Sequence, residues 1–111
     1  MYDVNEKDWK IYKKLMVEWQ ERYIKKLNKE YINILIEDNS AKDNYWNLRR
    51  KIKESNEHAL IQFDLRRSTM ERTLLMLLIN EDITFDDLLG FSVELIEVLS
   101  EAYKVYKNNT Y

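Results

Sequence analysis

The sequence predicts an all-α fold: a bundle of about four helices with a long N-terminal amphipathic helix and one short extra helical turn. Three observations carry this. Residues 5–37 contain neither glycine nor proline and return an apolar side chain every third or fourth position, the signature of one long amphipathic helix. A serine or threonine followed three residues later by an acid recurs at Ser40/Asp43, Ser68/Glu71 and Thr84/Asp87, the pattern with which helices start. The one glycine, Gly90, lies between the Thr84/Asp87 segment and Ser92, a further N-cap residue.

The first helix begins at Asn5, an N-cap residue, with Glu6 and Asp8 in its first turn complementing the exposed amides. Its stripe is Trp9, Tyr12, Met16, Trp19, Tyr23, Leu27, Tyr31, Ile34 and Leu35. The stripe advances about 3.7 residues per step, which favours a nearly straight bundle helix over a left-handed coiled coil. At about 1.5 Å per residue the rod reaches roughly 50 Å, whereas a compact chain of this length has a radius of gyration of about 13 Å. It therefore outruns its own globule or is covered by a partner. Residues 31–36 are apolar nearly all round and are expected to be enclosed, leaving the earlier turns on a surface.

Ser40 caps a second helix whose expected buried positions are Tyr45, Trp46, Leu48 and Ile52. Arg49, Arg50, Lys51 and Lys53 crowd its final turns, where cations complement the dipole. In residues 55–65, Ile61, Phe63 and Leu65 alternate with Gln62 and Asp64, a strand-like period of two. Two readings stay open for this segment: an extended crossover under the bundle, or an edge that pairs with another copy.

Ser68 and Glu71 form a capping box for a third helix, whose residues 74–79 are apolar on every side. This central helix is expected to pack against the enclosed end of the first. Thr84 with Asp87 caps a short turn over residues 85–89, stopped by Gly90 as a left-handed C-cap. Ser92 then caps the last helix, with Val93, Ile96, Leu99, Tyr103 and Tyr106 at helical spacing and Leu95, Val98 and Ala102 widening the stripe. Residues 108–111 should fray. No repeat or linker interrupts the chain, so residues 1–111 are expected to form one domain.

Composition excludes several classes. At 45% hydrophobic and 13% aromatic residues the chain is too apolar for a disordered segment. Without cysteine it has neither a disulfide framework nor a thiolate metal site, and its first residues lack the regions of a secretory signal. A cytoplasmic location is the resulting expectation. The longest apolar run, six residues, is far below the roughly twenty of a membrane span. The net charge of −2 hides a polarity: residues 49–80 carry seven basic and four acidic side chains, whereas residues 81–103 carry seven acidic and none basic. Such a split can steer a charged partner or draw two copies together head to tail.

Catalytic chemistry is poorly supplied, because there is one histidine, His58, and no glycine-rich loop. His58 with Glu54 and Glu57 reads as a solvated loop cluster. Glu94, Glu97 and Glu101 share one helix face, but no Glu-x-x-His accompanies them, so neither a catalytic site, a metal site nor a cofactor is predicted. Residues 84–96 match a DNA-binding helix-turn-helix only in outline, since the second helix offers glutamates to a polyanion. The alternating lysines and aromatics of the first helix suggest a membrane surface, yet Glu18, Glu21 and Glu30 break the basic face.

Trp19-Gln20-Glu21-Arg22-Tyr23, Lys29-Glu30-Tyr31-Ile32, Ile83-Thr84-Phe85-Asp86-Asp87-Leu88 and Phe91-Ser92-Val93-Glu94-Leu95 resemble small uncharacterised helical proteins of anaerobic bacteria. The resemblance implies a bacterial, intracellular helical domain and no activity.

The function expected is binding: a small accessory, regulatory or inhibitory domain that self-associates or meets another protein through the aromatic face of the first helix, with Trp9, Tyr12, Met16, Trp19 and Tyr23 as its interface. The opposing reading is nucleic-acid contact through Arg49, Arg50, Lys51 and Lys53 together with Arg66 and Arg67, should the fold bring these clusters onto one surface. Neither a small-molecule substrate nor a membrane partner is expected.

Overall fold

Asn5 accepts the Asp8 N–H on its side-chain oxygen at 2.7 Å. From that N-cap a single helix, α1, runs unbroken over Glu6–Ile36 in a computed structural model that describes residues 3–109. Residues 1 and 2, and residues 110 and 111 of the tail expected to fray, lie outside the described residues. The molecule is 53 Å in its longest dimension with a radius of gyration of 16.9 Å, against about 13 Å for a compact chain of this size. All of the regular structure among the described residues is helical.

Ser40 accepts the Asp43 N–H at 3.1 Å and opens α2, Ala41–Ser55. A connection this short makes neighbouring helices antiparallel, and the cross-links follow that order: Asn44 Nδ2 donates to the carbonyls of Leu35 and Glu37, Lys51 lies 3.8 Å from Glu30, and the Tyr31 and Ser55 hydroxyls meet at 3.1 Å. Because α2 has 15 residues and α1 has 31, α2 covers only the C-terminal half of α1. The rest of the chain packs on the other half.

That packing reverses the sequence expectation for α1. Trp9, Tyr12, Met16 and Trp19 are buried in one cluster with Leu60, Met70, Leu74, Leu77, Leu88, Leu95 and Leu99, while Ile32, Leu35 and Ile36 are exposed. The tryptophan end is therefore enclosed and the isoleucine end projects. The central helix α4, Met70–Ile79, shares its core with the N-terminal half of α1 rather than with residues 31–36, and packs against α5, Val93–Asn108.

Residues 55–65 form neither an extended crossover nor a strand edge. His58 caps a one-turn helix, α3, over Ala59–Gln62, which Phe63 ends in the left-handed conformation at φ 54°. Of the alternating residues Ile61 and Phe63 are half-buried and Leu65 is exposed, while the core position of this turn is Leu60. Ser68 is likewise not a cap: it lies inside a 3-10 turn, Arg67–Thr69, that runs directly into α4. Thr84 and Asp87 do form the expected capping box, at a 3-10 turn over Phe85–Leu88. Gly90 is not a left-handed cap, since the positive-φ residues of the described chain are Phe63 and Glu81.

Ser92 caps α5 as expected by accepting the Leu95 N–H. The inward stripe is Leu95 and Leu99 with Ile96 and Tyr103 partly buried, whereas Val93 and Tyr106 lie outside. Asp8, fully buried in the first turn of α1, ties this end of α5 down. It accepts Ser92 N at 2.8 Å and Ser92 Oγ at 2.5 Å, so two helix N-termini converge on one carboxylate.

Candidate interaction surface

The expected interface of Trp9, Tyr12, Met16, Trp19 and Tyr23 is not a surface. The first four are core residues, and Tyr23 is half-buried with its ring stacked on His58 at 3.9 Å and 15°. The amphipathic stripe was legible; its cover was not, because α3, α4 and α5 supply that cover from the far end of the chain.

Exposed apolar side chains occur along the chain, among them Val17, Leu89, Val93 and Val105, and six of them, Ile32, Leu35, Ile36, Tyr45, Trp46 and Ile52, belong to the α1–α2 hairpin. In helical register Tyr31 and Leu35 of α1 and Tyr45, Leu48 and Ile52 of α2 fall on the flank marked by the Tyr31–Ser55 hydrogen bond. Leu35, Tyr45 and Ile52 are 51%, 56% and 43% exposed. Tyr45, Trp46, Leu48 and Ile52 were expected to be buried, but only Leu48 is half-buried and the other three are exposed, because the α2 face turned toward α1 carries Asn44, Lys51 and Ser55. Trp46, 50% exposed, stands edge-on to Tyr45 at 5.3 Å and lies under the Arg49 guanidinium at 5.2 Å. Tyr, Trp and Arg are the residue types on which protein interfaces concentrate their binding energy. The opposite flank is charged, with Glu30, Glu37, Arg50, Lys51 and Glu54 around Ile34 and Asn47.

The two basic clusters do not share a surface. Arg67 is bonded to Glu6 at 2.5 Å and lies over the Trp9 ring, whereas Lys51 is beside Glu30. Glu6 and Glu30 are twenty-four residues apart on one helix, about 36 Å at 1.5 Å per residue. Arg66 is held in a two-point pair with Asp64 at 2.9 and 2.8 Å. This pairing holds the Asp64 carboxyl well below the usual carboxylate range.

His58 is a joint rather than a solvated loop residue. Its Nδ1 accepts the Leu60 N–H at 3.0 Å, which leaves Nε2–H to donate to Asp82 at 2.7 Å. Glu54 and Glu57, its expected partners, are not involved. Burial, and then the Asp82 carboxylate, raise the pKa of the Tyr23 phenol stacked on this ring. Arg22 completes the joint from α1 by donating to the Asp82 carbonyl at 3.1 Å. A stacked, hydrogen-bonded imidazole thus fastens the middle of α1, the start of α3 and the loop after α4. Nothing local in the sequence pairs residues 23, 58 and 82.

An open groove of about 730 Å³ between α4 and α5 has Val4, Leu75, Leu99 and Ala102 as its floor and Arg67, Arg72 and Glu71 at its rim. Among the described residues no three metal-ligating side chains come together, and no helix is long and apolar enough to cross a membrane. No family model, curated protein or solved structure matches the chain.

Proposed function

We infer that the chain is a small protein-binding domain, accessory or regulatory to whatever it binds, whose working surface is the apolar flank of the α1–α2 hairpin. One observation carries this reading: Leu35, Tyr45 and Ile52 are exposed and, in helical register, fall on one flank of an element that projects from the core. Burying one such side chain is worth about 1.5 to 3 kcal/mol, so a contiguous exposed group favours contact with another protein. The core needs none of these residues, since its cluster is complete without them. The basic outer edge of α2 around Arg49 would guide an acidic partner onto the flank.

The test is photo-cross-linking in expressing cells from position 45, with position 97 on the solvent face of α5 as control. Protein adducts from 45 that disappear on Leu35→Glu, with none from 97, are the expected result. No adducts from 45, or equal adducts from both positions, would overturn the reading.

A further inference from the structure

The carboxyl end of α4 closes on a glutamate where glycine is usual. Glu81 N donates to the Leu78 carbonyl at 3.1 Å and Asp82 N to the Leu77 carbonyl at 2.9 Å, the paired bonds of a Schellman motif. The motif sets Glu81 in the left-handed region at φ 61°, which glycine enters without the steric cost that a side chain meets. The side chain held there lines a cavity of about 390 Å³ over Leu78 and Ile83, with Thr84, Phe85 and Tyr103 as its other walls.

The electrostatics of this cavity favour a cation. α4 turns the negative end of its dipole toward it, with no basic residue in the last turn of that helix, and residues 81–103 contain no basic residue. The Phe85 and Tyr103 rings meet at 84° with centroids 5.6 Å apart, so their faces form a corner, and aromatic faces attract cations. The chain brings one ammonium of its own: Lys107 Nζ lies 5.4 Å from the Tyr103 centroid. Tyr103, and after it the Glu81 carboxylate, raise the pKa of that ammonium. Arg22 of α1 turns instead to the Asp82 carbonyl and to Asp87.

We propose that this corner binds a small quaternary-ammonium compound, with Phe85 and Tyr103 as aromatic walls and Glu81 as counter-charge. A primary ammonium entering the cavity would have to satisfy three N–H donors against Leu78, Ile83 and two rings. A trimethylammonium head has none to satisfy and lays methyl groups on those same walls. Lys107 is then a tethered competitor for Tyr103, displaced as the ligand enters. The site uses no residue of the hairpin flank, so the two readings stand or fall separately.

Choline and its uncharged isostere 3,3-dimethylbutanol are the probes, titrated into the whole chain while the Tyr103 ring protons are followed by NMR. Saturable shifts with choline and none with the isostere are expected. Phe85→Leu should weaken choline binding about tenfold, and Lys107→Met should tighten it. Glu81→Gly should abolish saturation with the helical circular dichroism retained, because glycine suits φ 61°. Should Phe85→Leu fail to fold, Glu81→Gly and Lys107→Met decide the matter. Equal shifts with both probes would mark an apolar cavity without cation recognition and overturn the proposal. So would a lack of saturation in the wild type and Lys107→Met alike, or choline binding that Glu81→Gly leaves unchanged.

Discussion

Asp8 in the first turn of α1 accepts both the backbone N–H and the hydroxyl of Ser92, eighty-four residues away at the start of α5. The carboxylate is fully buried, and it faces two helix N-termini whose dipoles favour negative charge. It joins the beginning of the chain to its last helix.

Asp8→Ala removes a charged acceptor and leaves Ser92 N–H without its partner. Hydrogen bonds to charged groups contribute about 1.5 to 3 kcal/mol each, and a loss of at least that size is expected by urea denaturation. Ser92→Ala loses a cap as well as one bond to Asp8, and about 0.5 to 2 kcal/mol is expected. The double variant should fall short of the sum, because the two residues share their bonds.

The three tryptophans should separate into two classes. Trp9→Ala or Trp19→Ala truncates a buried ring and should cost about 3 to 5 kcal/mol, comparable with the whole stability of a small domain. Trp46→Ala should change stability by no more than about 0.5 kcal/mol, since its ring is half exposed. A soluble fluorescence quencher should reach Trp46 and spare the other two until the protein unfolds.

His58 and Asp82 should be energetically coupled. A double-mutant cycle over His58→Ala and Asp82→Ala should give an interaction of about 0.5 to 3 kcal/mol. His58→Asn should be milder than His58→Ala, because asparagine retains an N-cap acceptor for α3. Equal losses for the two substitutions would assign the stability to the Asp82 bond alone.

Opposite ends of the pH scale should report on Tyr12 and Asp64, which are joined by the Tyr12 hydroxyl donating to the Asp64 carbonyl at 3.1 Å. Burial pushes the Tyr12 phenol up to about 12. Its contribution is full below the ordinary tyrosine pKa of about 10 and is lost as pH rises toward the folded value. Tyr12→Phe should therefore flatten the alkaline limb, at a neutral-pH cost of about 0.5 to 1.5 kcal/mol for the lost hydrogen bond. The Arg66 pair lowers the Asp64 carboxyl, so its contribution is present above the ordinary carboxylate pKa of about 4 and is lost as pH falls below it. Asp64→Asn should flatten the acid limb, read by denaturation midpoints across pH.

Gly90 should be replaceable. Its φ is not positive, and no atom lies within 4 Å of where a Cβ would stand. Gly90→Ala should stabilise the fold by about 0.4 to 1 kcal/mol through the unfolded chain; a loss would show that the glycine is needed for its freedom after all.

Local chemistry was readable wherever the partner was local. Asn5, Ser40, Thr84 and Ser92 cap or start helical segments as their spacing predicts. Each hydrogen bond there spans three residues, so a short window contains both ends. The unbroken length of α1 was readable for the same reason. Failure began where a residue's environment comes from far along the chain. The period of two at residues 61–65 could not reveal that His58 would cap a turn, because Asp82 and Tyr23, which hold that histidine, are 24 and 35 residues away. The candidate surface was misplaced by a related gap, although one signal was available. A 15-residue helix returning through a short turn can cover only half of a 31-residue one, which leaves the tryptophan half for the remainder of the chain.

The sequence by itself determined an all-helical chain, its long first helix and most of its helix starts, because these depend on side-chain periodicity and capping within a few residues. Tertiary structure alone decided which end of that helix is sealed and which apolar residues remain exposed. Burial is a property of what packs against a face, and the packing elements here arrive from up to ninety residues downstream.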